Sequence, residues 1–205
     1  MSVDVVAGAA LLPPGLDLSP AKRRLYEVAI ELFGQEGYHG VSIRDIATAL
    51  GQQSSAIYFH VSSKQDLLFE LAVIGHRSHF EALRDALMDA GADPRDQVVA
   101  VARAHVRQHL DYPSLARLTN RELRALSAEH HQAVVEIRSQ AERLMVDVIE
   151  RGVRMGVFST TDPFLDAKAL GAMAMRLPEW WTPDSPRSRD DILERYPSYA
   201  LKLVT

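Results

Sequence analysis

Residues 42–64 read SIRDIATALGQQSSAIYFHVSSK and carry the most informative secondary-structure signals of the chain. Ser42 is followed three residues later by Asp45, a variant of the capping box, and this pair predicts the start of a helix. The helix is expected to be short, over Ile43–Leu50, because Gly51 is typical of the residue that follows a helix end.

A second short helix is predicted to begin at Ser54 or Ser55 and to end near His60. Only residues 51–53 separate the two helices, a spacing that fits a DNA-reading helix-turn-helix or an ordinary helical hairpin equally well. In the first interpretation, small hydroxyl side chains at the start of the second helix suit contact with base edges and phosphates.

Helix starts recur along the rest of the chain, each marked by a capping side chain or by a proline at the first helical position. No segment of four to eight residues alternates between polar and apolar residues as a strand does. The sequence therefore predicts an all-α fold of about nine helices. Besides the two above, helices are expected to begin at Ser19, at Ser62 or Ser63, at Asp93, at Ser114, at Ser127, at Asp162 and at Ser188, and the last two are expected over 163–181 and 190–204.

The composition of the 205 residues excludes several classes of protein. The chain has no cysteine, which removes disulfides, thiolate nucleophiles and cysteine zinc sites. Its net charge is −4, so it lacks the basic excess that indicates nucleic-acid binding. From Ser19 to Lys64 five Lys and Arg residues stand against four acidic ones. The front of the chain is therefore the only part with a mild attraction for a polyanion.

The first residues predict neither export nor membrane insertion. Met1–Ala10 carries Asp4 and no Lys or Arg, whereas a secretory signal begins with positive charge. We expect a cytoplasmic protein without a membrane partner. Residues 1–18 contain Pro13, Pro14 and Gly15 and lack helical periodicity, so they are expected to form a flexible arm.

The run from Leu25 to Leu71 strongly resembles the TetR/AcrR family of bacterial transcriptional regulators. The resemblance is carried by four segments of this run. They are LFGQEGYHGVSIRDIA at 32–47, Ala-x-x-Leu-Gly at 47–51, Ile-Tyr-x-His at 57–60 and Ser-Lys-x-x-Leu at 63–67.

This resemblance implies a three-helix helix-turn-helix DNA-binding domain over 19–65 and a helical ligand-binding and dimerisation domain over 66–205. It implies a homodimer on a double-stranded operator, because a two-fold pair of heads reads a pseudo-palindrome. The helices around 163–181 and 188–204 are the expected dimer surface. The implied function is transcriptional regulation controlled by a small molecule, most simply repression, without catalytic residues or a cofactor.

The residues expected to contact DNA are of two kinds. By resemblance, Tyr58, His60 and Lys64 grip phosphates, and Ser42 lies at a helix N-terminus that suits a phosphate. The base-reading candidates are Arg44, Gln53, Ser54 and Ser55, and a solvated surface position is the alternative for Arg44. Departures from the family pattern at Gln52, Gln53, Ser55 and Val61 lie where base choice is made, so the operator sequence cannot be carried over.

The effector candidates lie near the end of the chain. Glu179-Trp180-Trp181 followed by Pro183-Asp184 resembles family members with acyl or steroid-derived ligands. An apolar stripe with a charge beside it suits a ligand with an apolar body and an acidic head. The alternative for the stripe is packing in the core or between subunits. The alternative for the arginine is a salt bridge across the dimer. The residues concerned are Leu170, Met173, Leu177 and Trp181 in the stripe and Arg176 beside it, with His109 as a further candidate.

Two enzymatic or metal-binding interpretations are weaker. His105 and His109 stand four residues apart on one predicted helix, a spacing that lets two imidazoles share a metal. No carboxylate completes the set, unless Asp111 or a residue from another helix does, so surface or pocket-lining histidines are favoured and no metal is predicted. Neither a Gly-x-Ser-x-Gly elbow nor a glycine-rich phosphate loop occurs, and an enzyme is not predicted. A ligand-binding or enzymatic helical body with a non-functional head is the rival hypothesis.

Overall fold

The computed structural model describes residues 10–205, and within this range the chain is entirely helical, with no β-strand. It contains ten α-helices and one short 3-10 helix, Glu122–Ala125. The α-helices are α1 Pro20–Glu36, α2 Ile43–Ala49, α3 Ser54–Ile57, α4 Lys64–Asp89, α5 Pro94–Asp111, α6 Pro113–Arg121, α7 Ala128–Arg154, α8 Pro163–Met175, α9 Leu177–Trp180 and α10 Arg189–Val204. The predicted all-α class is confirmed.

Local capping chemistry sets most of the helix starts where the sequence predicts them. The hydroxyl of Ser19 accepts a hydrogen bond from the backbone N–H of Lys22, and Pro20 occupies the first turn of α1. Ser188 forms a complete capping box with Asp191 at the start of α10. Ser63, rather than Ser62, caps α4, since its hydroxyl accepts from the backbone N–H of the residue three positions on.

Some helix bounds and one cap differ from the prediction. α3 ends at Ile57 rather than near His60, and its N-cap is Gln53, which makes no side-chain capping bond, instead of a serine. α6 begins at Pro113, one residue before the predicted Ser114, because proline is favoured at the first helical position.

The predicted helix 163–181 is divided into α8 and α9, which is why ten helices replace nine. The break falls at Arg176, between the last residue of α8 and Leu177. Pro178 explains it, because a proline has no N–H to bond Ala174 four residues earlier and its ring clashes with that carbonyl.

The chain packs as two compact units. The first comprises the described residues up to His76 together with Tyr112–Val134, and the second comprises Arg77–Asp111 and Val135–Thr205. In the first unit, Leu115 and Leu118 of α6 share one buried core with residues of α1 to α4. The packing units therefore differ from the predicted division at residue 65, because an amphipathic helix distant in sequence completes the core of the head.

The predicted arm lies partly outside the described residues, since these begin at Ala10. Within the described part, the arm is not loose. Leu12 is buried in the core of the first unit, and Leu11, Leu16 and Leu18 pack against it. The absence of helical periodicity did not predict this packing, because the segment buries its leucines without forming a helix.

The second unit contains two buried clusters. One lies among α4, α5, α7, α8 and α10 and includes Val101, Ile149 and Leu170. The other includes Leu110 and Leu177. No described helix combines the length and hydropathy needed to cross a bilayer.

Candidate nucleic-acid interface and effector site

The start of α2 is held by a reciprocal capping box. The Ser42 hydroxyl accepts from the backbone N–H of Asp45 at 3.2 Å, and the Asp45 carboxylate accepts from the Ser42 N–H at 2.8 Å. The Ser42 hydroxyl also donates to the Asp45 carboxylate at 2.6 Å, and this hydrogen bond, together with the one from the Ser42 N–H, lowers the pKa of Asp45. Asp45 therefore keeps a negative charge at this helix N-terminus. The phosphate contact at Ser42 stays a prediction, and Asp45 places a negative charge beside that residue.

Buried residues on α2 and α3 fix the crossing of the two helices. Ile46, Ala47 and Ile57 are all buried. Ala47 carries only a methyl group, which allows close approach of α3. Gly51 adopts a φ of 67° in the turn, a backbone conformation that favours glycine.

This packing turns a polar and aromatic face to solvent. Tyr58 is 54% exposed and Phe59 is 88% exposed. Tyr58 and Phe59 are thus adjacent exposed aromatic side chains on this face of the head. Phe59 was not among the predicted contact residues, although its position between Tyr58 and His60 was the signal that could have indicated it.

The predicted DNA-contact residues all belong to the first unit. They extend from the N-cap of α2 to the first residue of α4. They differ in exposure. Arg44, Gln53, Ser55 and Tyr58 are exposed, as is Ser42, whereas Ser54, His60 and Lys64 are half-buried.

Lys64 has an intramolecular role that the sequence did not indicate. Its ammonium donates hydrogen bonds to the backbone carbonyls of Tyr38 at 3.0 Å and Val41 at 2.8 Å. The same ammonium lies 4.3 Å from the centre of the Tyr38 ring, within the range of a cation–π interaction. Lys64 therefore ties the first residue of α4 to the segment between α1 and α2.

The predicted apolar stripe is split between the two clusters of the second unit. Leu170 belongs to one cluster, whereas Leu177 and Trp181 belong to the other with Leu110. The indole N–H of Trp181 donates to the carbonyl of Arg187 at 2.9 Å. Trp181 is only 8% exposed and thus packs within its own chain, whereas the adjacent Trp180 is 50% exposed.

Two further residues of the predicted effector site, Met173 and Arg176, face solvent. Met173 is exposed, and the Arg176 side chain is 73% exposed and forms an ion pair with Glu179 at 2.7 Å. Arg176 lies at the break between α8 and α9, so it no longer shares a helical face with Leu177 and Trp181.

Three histidines of the second unit lie together. His105 and His109 of α5 are joined by His79 of α4, and ring nitrogens of the three lie within 4.8 Å of one another. His109 is buried and is therefore not a surface residue. Burial lowers the pKa of His105, which favours its neutral form. Sequence reasoning missed His79, because contact between two helices cannot be read from spacing along one of them.

Large apolar side chains are exposed on the last three helices. They are Phe164, Leu165 and Met173 on α8, Trp180 on α9, and Tyr199 and Leu203 on α10. All belong to the second unit.

Two family models match the chain. Residues 25–71 match the family described as "Bacterial regulatory proteins, tetR family", and residues 91–204 match "Tetracyclin repressor-like, C-terminal domain". The second match alone covers more than half of the chain.

Similarity to known proteins extends over nearly the whole length of this chain. The transcriptional repressor KstR2 of Rhodococcus jostii is 27% identical over 194 residues, which is 92% of this chain and 95% of the repressor. A bacterial regulatory protein of the tetR family from Rhodococcus RHA1 is 30% identical, with a TM-score of 0.85 over 91% of this chain and 98% of its own.

A third similar structure contains ligands. AibR in complex with isovaleryl coenzyme A and operator DNA is 20% identical, with a TM-score of 0.79 over 87% of this chain and 96% of its own. At this identity the similarity establishes a shared fold.

Proposed function

Because the chain belongs to the TetR family of bacterial transcriptional regulators, we propose that it represses transcription from a pseudo-palindromic operator and is released by a small acyl-type effector. Ligand-responsive transcriptional regulation follows from the family. The operator form, the effector class and the residues that serve each are the proposal. The observation that carries it is the exposed face around Tyr58 and Phe59, held in place by the buried Ile57.

On DNA, the exposed side chains around α3 divide by chemistry. Arg44 and Gln53 can each make two parallel hydrogen bonds to a base edge, which suits base reading. The Tyr58 hydroxyl and the third N–H of the Lys64 ammonium can donate to phosphate oxygens, which positions the head without reading sequence. Ser54, Ser55 and His60 complete the proposed contact surface.

A homodimer supplies the second head. One helix as short as α3 reads too few bases for specificity, and a two-fold pair reads two half-sites about one helical turn apart. The exposed apolar residues of α8 and α10, such as Phe164, Leu165 and Leu203, support a dimer surface on these helices. Burial of large apolar side chains is the main favourable term in such association.

The effector is proposed to bind within the second unit. The apolar residues Leu177 and Trp181 would contact the apolar part of the ligand, and the guanidinium of Arg176 would attract its acidic head group. AibR, which shares the fold, was solved with isovaleryl coenzyme A, and this supports an acyl thioester over other apolar compounds. A steroid-derived acyl compound satisfies the same chemistry. We place the protein in the cytoplasm, where its operator would be.

Release requires that the effector favour a state that cannot bind DNA. α4 carries Lys64 in the first unit and His79 in the second, and we propose that the effector changes DNA affinity through this helix. The effector must bind the DNA-incompetent state more tightly, because equal affinity for both states would leave the DNA affinity unchanged.

Footprinting on DNA from upstream of the protein's own coding sequence tests the proposal. We expect protection of a pseudo-palindrome with two chains per site, and loss of protection in Arg44→Ala. Arg154→Ala is the matched control, since Arg154 is an exposed arginine of the second unit that pairs only at 3.4 Å with Glu150. A protected site without two-fold symmetry, or equal loss in both variants, would contradict the proposed mode of binding.

A further inference from the structure

We propose that His79, His105 and His109 form a binding site for one divalent transition-metal ion of the zinc type. All three residues belong to the second unit. The inference does not rest on the proposed function, because metal binding can be measured in the absence of DNA and effector.

The three imidazoles converge from two helices. His105 and His109 lie one turn apart on α5, and their ring centres are 4.7 Å apart. The ring of His79, on α4, lies 4.9 Å from that of His105 and 5.5 Å from that of His109. The rings are steeply inclined to one another, and one ring nitrogen of each histidine lies within 4.8 Å of a ring nitrogen of the other two.

Backbone carbonyls fix the tautomers of the two α5 histidines. Nε2 of His105 lies 3.0 Å from the carbonyl oxygen of Gly171, and Nδ1 of His109 lies 2.8 Å from the carbonyl oxygen of His105. A carbonyl can only accept, so these two nitrogens carry the protons. In the neutral rings, the lone pair then belongs to Nδ1 of His105 and Nε2 of His109.

This arrangement is the one that metal sites use. A metal-binding imidazole characteristically donates its other N–H to a carbonyl or carboxylate, which orients the ring and makes its ligating nitrogen more basic. Gly171 of α8 supplies such an acceptor for His105. Two of the three histidines, His105 and His109, therefore already donate one ring N–H to a backbone carbonyl.

His79 supplies the third ligand. Its Nε2 lies 3.0 Å from Nδ1 of His105. Since that nitrogen of His105 carries a lone pair, Nε2 of His79 is the donor when no metal is bound. Metal binding would replace this hydrogen bond, and the proton of His79 would move to Nδ1, so that the ring stays neutral and Nε2 becomes a ligand.

The distances suit a small ion. Zinc binds imidazole nitrogen at about 2.0–2.1 Å, so two nitrogens of a tetrahedral site lie about 3.4 Å apart. The His79 and His105 nitrogens are already close to this spacing. All the ligand nitrogens lie within 4.8 Å of one another, and the wider pairs must move closer to reach this spacing.

The donor set selects the kind of ion. Three imidazole nitrogens suit zinc, copper, nickel and cobalt, whereas magnesium and calcium prefer oxygen ligands. Three protein ligands also leave a fourth position for water or for an oxygen of another molecule, as in zinc sites that exchange a ligand. An ion here would link α4 to α5.

Zinc binding is measured on the full-length protein after treatment with a chelator and dialysis. Competition against a chromophoric chelator should show one Zn²⁺ per chain. His79→Gln and His105→Gln should each weaken this binding by about 100-fold or more, since changes outside the ligand shell already cost 10–100-fold. His39→Gln is the matched control, because His39 is an exposed histidine of the first unit, and its affinity should be unchanged.

Two further measurements do not depend on the folding of the variants. Co²⁺ added to the parent protein should give the intense visible absorption of a four-coordinate ion, and zinc should raise the melting temperature of the parent protein. Absence of both effects, a stoichiometry other than one, or equal losses in His39→Gln and His79→Gln would overturn the proposal and leave the cluster as a hydrogen-bonded group of histidines.

Discussion

The ammonium of Lys64 lies 2.8 Å from the backbone carbonyl oxygen of Val41 and donates a hydrogen bond to it. The first residue of α4 is thereby fixed to the segment that precedes the helix-turn-helix. A residue at this point can serve both the stability of the head and its contact with DNA, and the two roles can be measured separately.

We predict that Lys64→Met lowers the free energy of unfolding by about 1–3 kcal/mol, because charge-assisted hydrogen bonds to two partly buried carbonyls are lost. Urea denaturation measures this effect. If the ammonium also contacts a phosphate, the slope of log affinity against log salt should fall by about 1 for each subunit. A stability loss with an unchanged salt slope would refute the phosphate role and keep the structural one.

Tyr58→Phe should weaken DNA binding about equally across operator variants, since a hydroxyl on a phosphate carries no sequence information. Stability should be unaffected because Tyr58 is largely exposed. Fluorescence anisotropy with a panel of operator variants measures both the affinity and its uniformity. Tyr199→Phe, which removes an exposed hydroxyl from α10, is the control and should bind every operator as the parent does.

Arg44→Ala and Gln53→Ala should relax specificity at defined base positions, each by about 1–3 kcal/mol. Both side chains are exposed on the head, so the loss should appear in recognition rather than in folding. A scan of single base-pair changes measures the effect. Identical mismatch profiles for the variant and the parent would show that these side chains face solvent in the complex.

The adjacent tryptophans provide a matched pair. Trp181→Ala should lower the free energy of unfolding by about 3–5 kcal/mol, because it removes a buried side chain from the cluster around Leu177. Trp180→Ala should change it by less than about 0.5 kcal/mol, since Trp180 is half exposed.

Sedimentation of the same two variants separates core packing from subunit packing. We expect Trp181→Ala to lose its response to the effector while it remains a dimer wherever it is folded. Dissociated but folded Trp181→Ala subunits with a normal response to the effector would contradict the placement of Trp181 in an effector site.

Features encoded locally were predictable from the sequence. The caps at Ser19, Ser42 and Ser188 depend on residues three positions away, and the structure places the helix starts there. The buried Ile46 and Ile57 follow from helical spacing in the same way. Spacing alone did not distinguish a DNA-reading helix-turn-helix from an ordinary helical hairpin. The family pattern favoured the DNA-binding head.

Features that depend on contact between distant segments were not predictable. α6 completes the core of the head from more than a hundred residues into the chain, and nothing at Leu115 or Leu118 indicates that partner. His79 meets His105 only because α4 and α5 pack together. The break before Leu177 was predictable in principle from Pro178, but an uninterrupted apolar spacing concealed it.

Effector-controlled operator binding is measured by the release of DNA on titration with effector. A labelled operator duplex, half-saturated with the parent dimer, is titrated with short-chain acyl coenzyme A and, in parallel, with free coenzyme A. We expect the acyl thioester to release the DNA and free coenzyme A to leave it bound. Arg176→Gln should need more thioester while its operator affinity stays unchanged. An operator affinity that no acyl or steroid-derived acyl compound alters would refute effector-controlled repression by this protein.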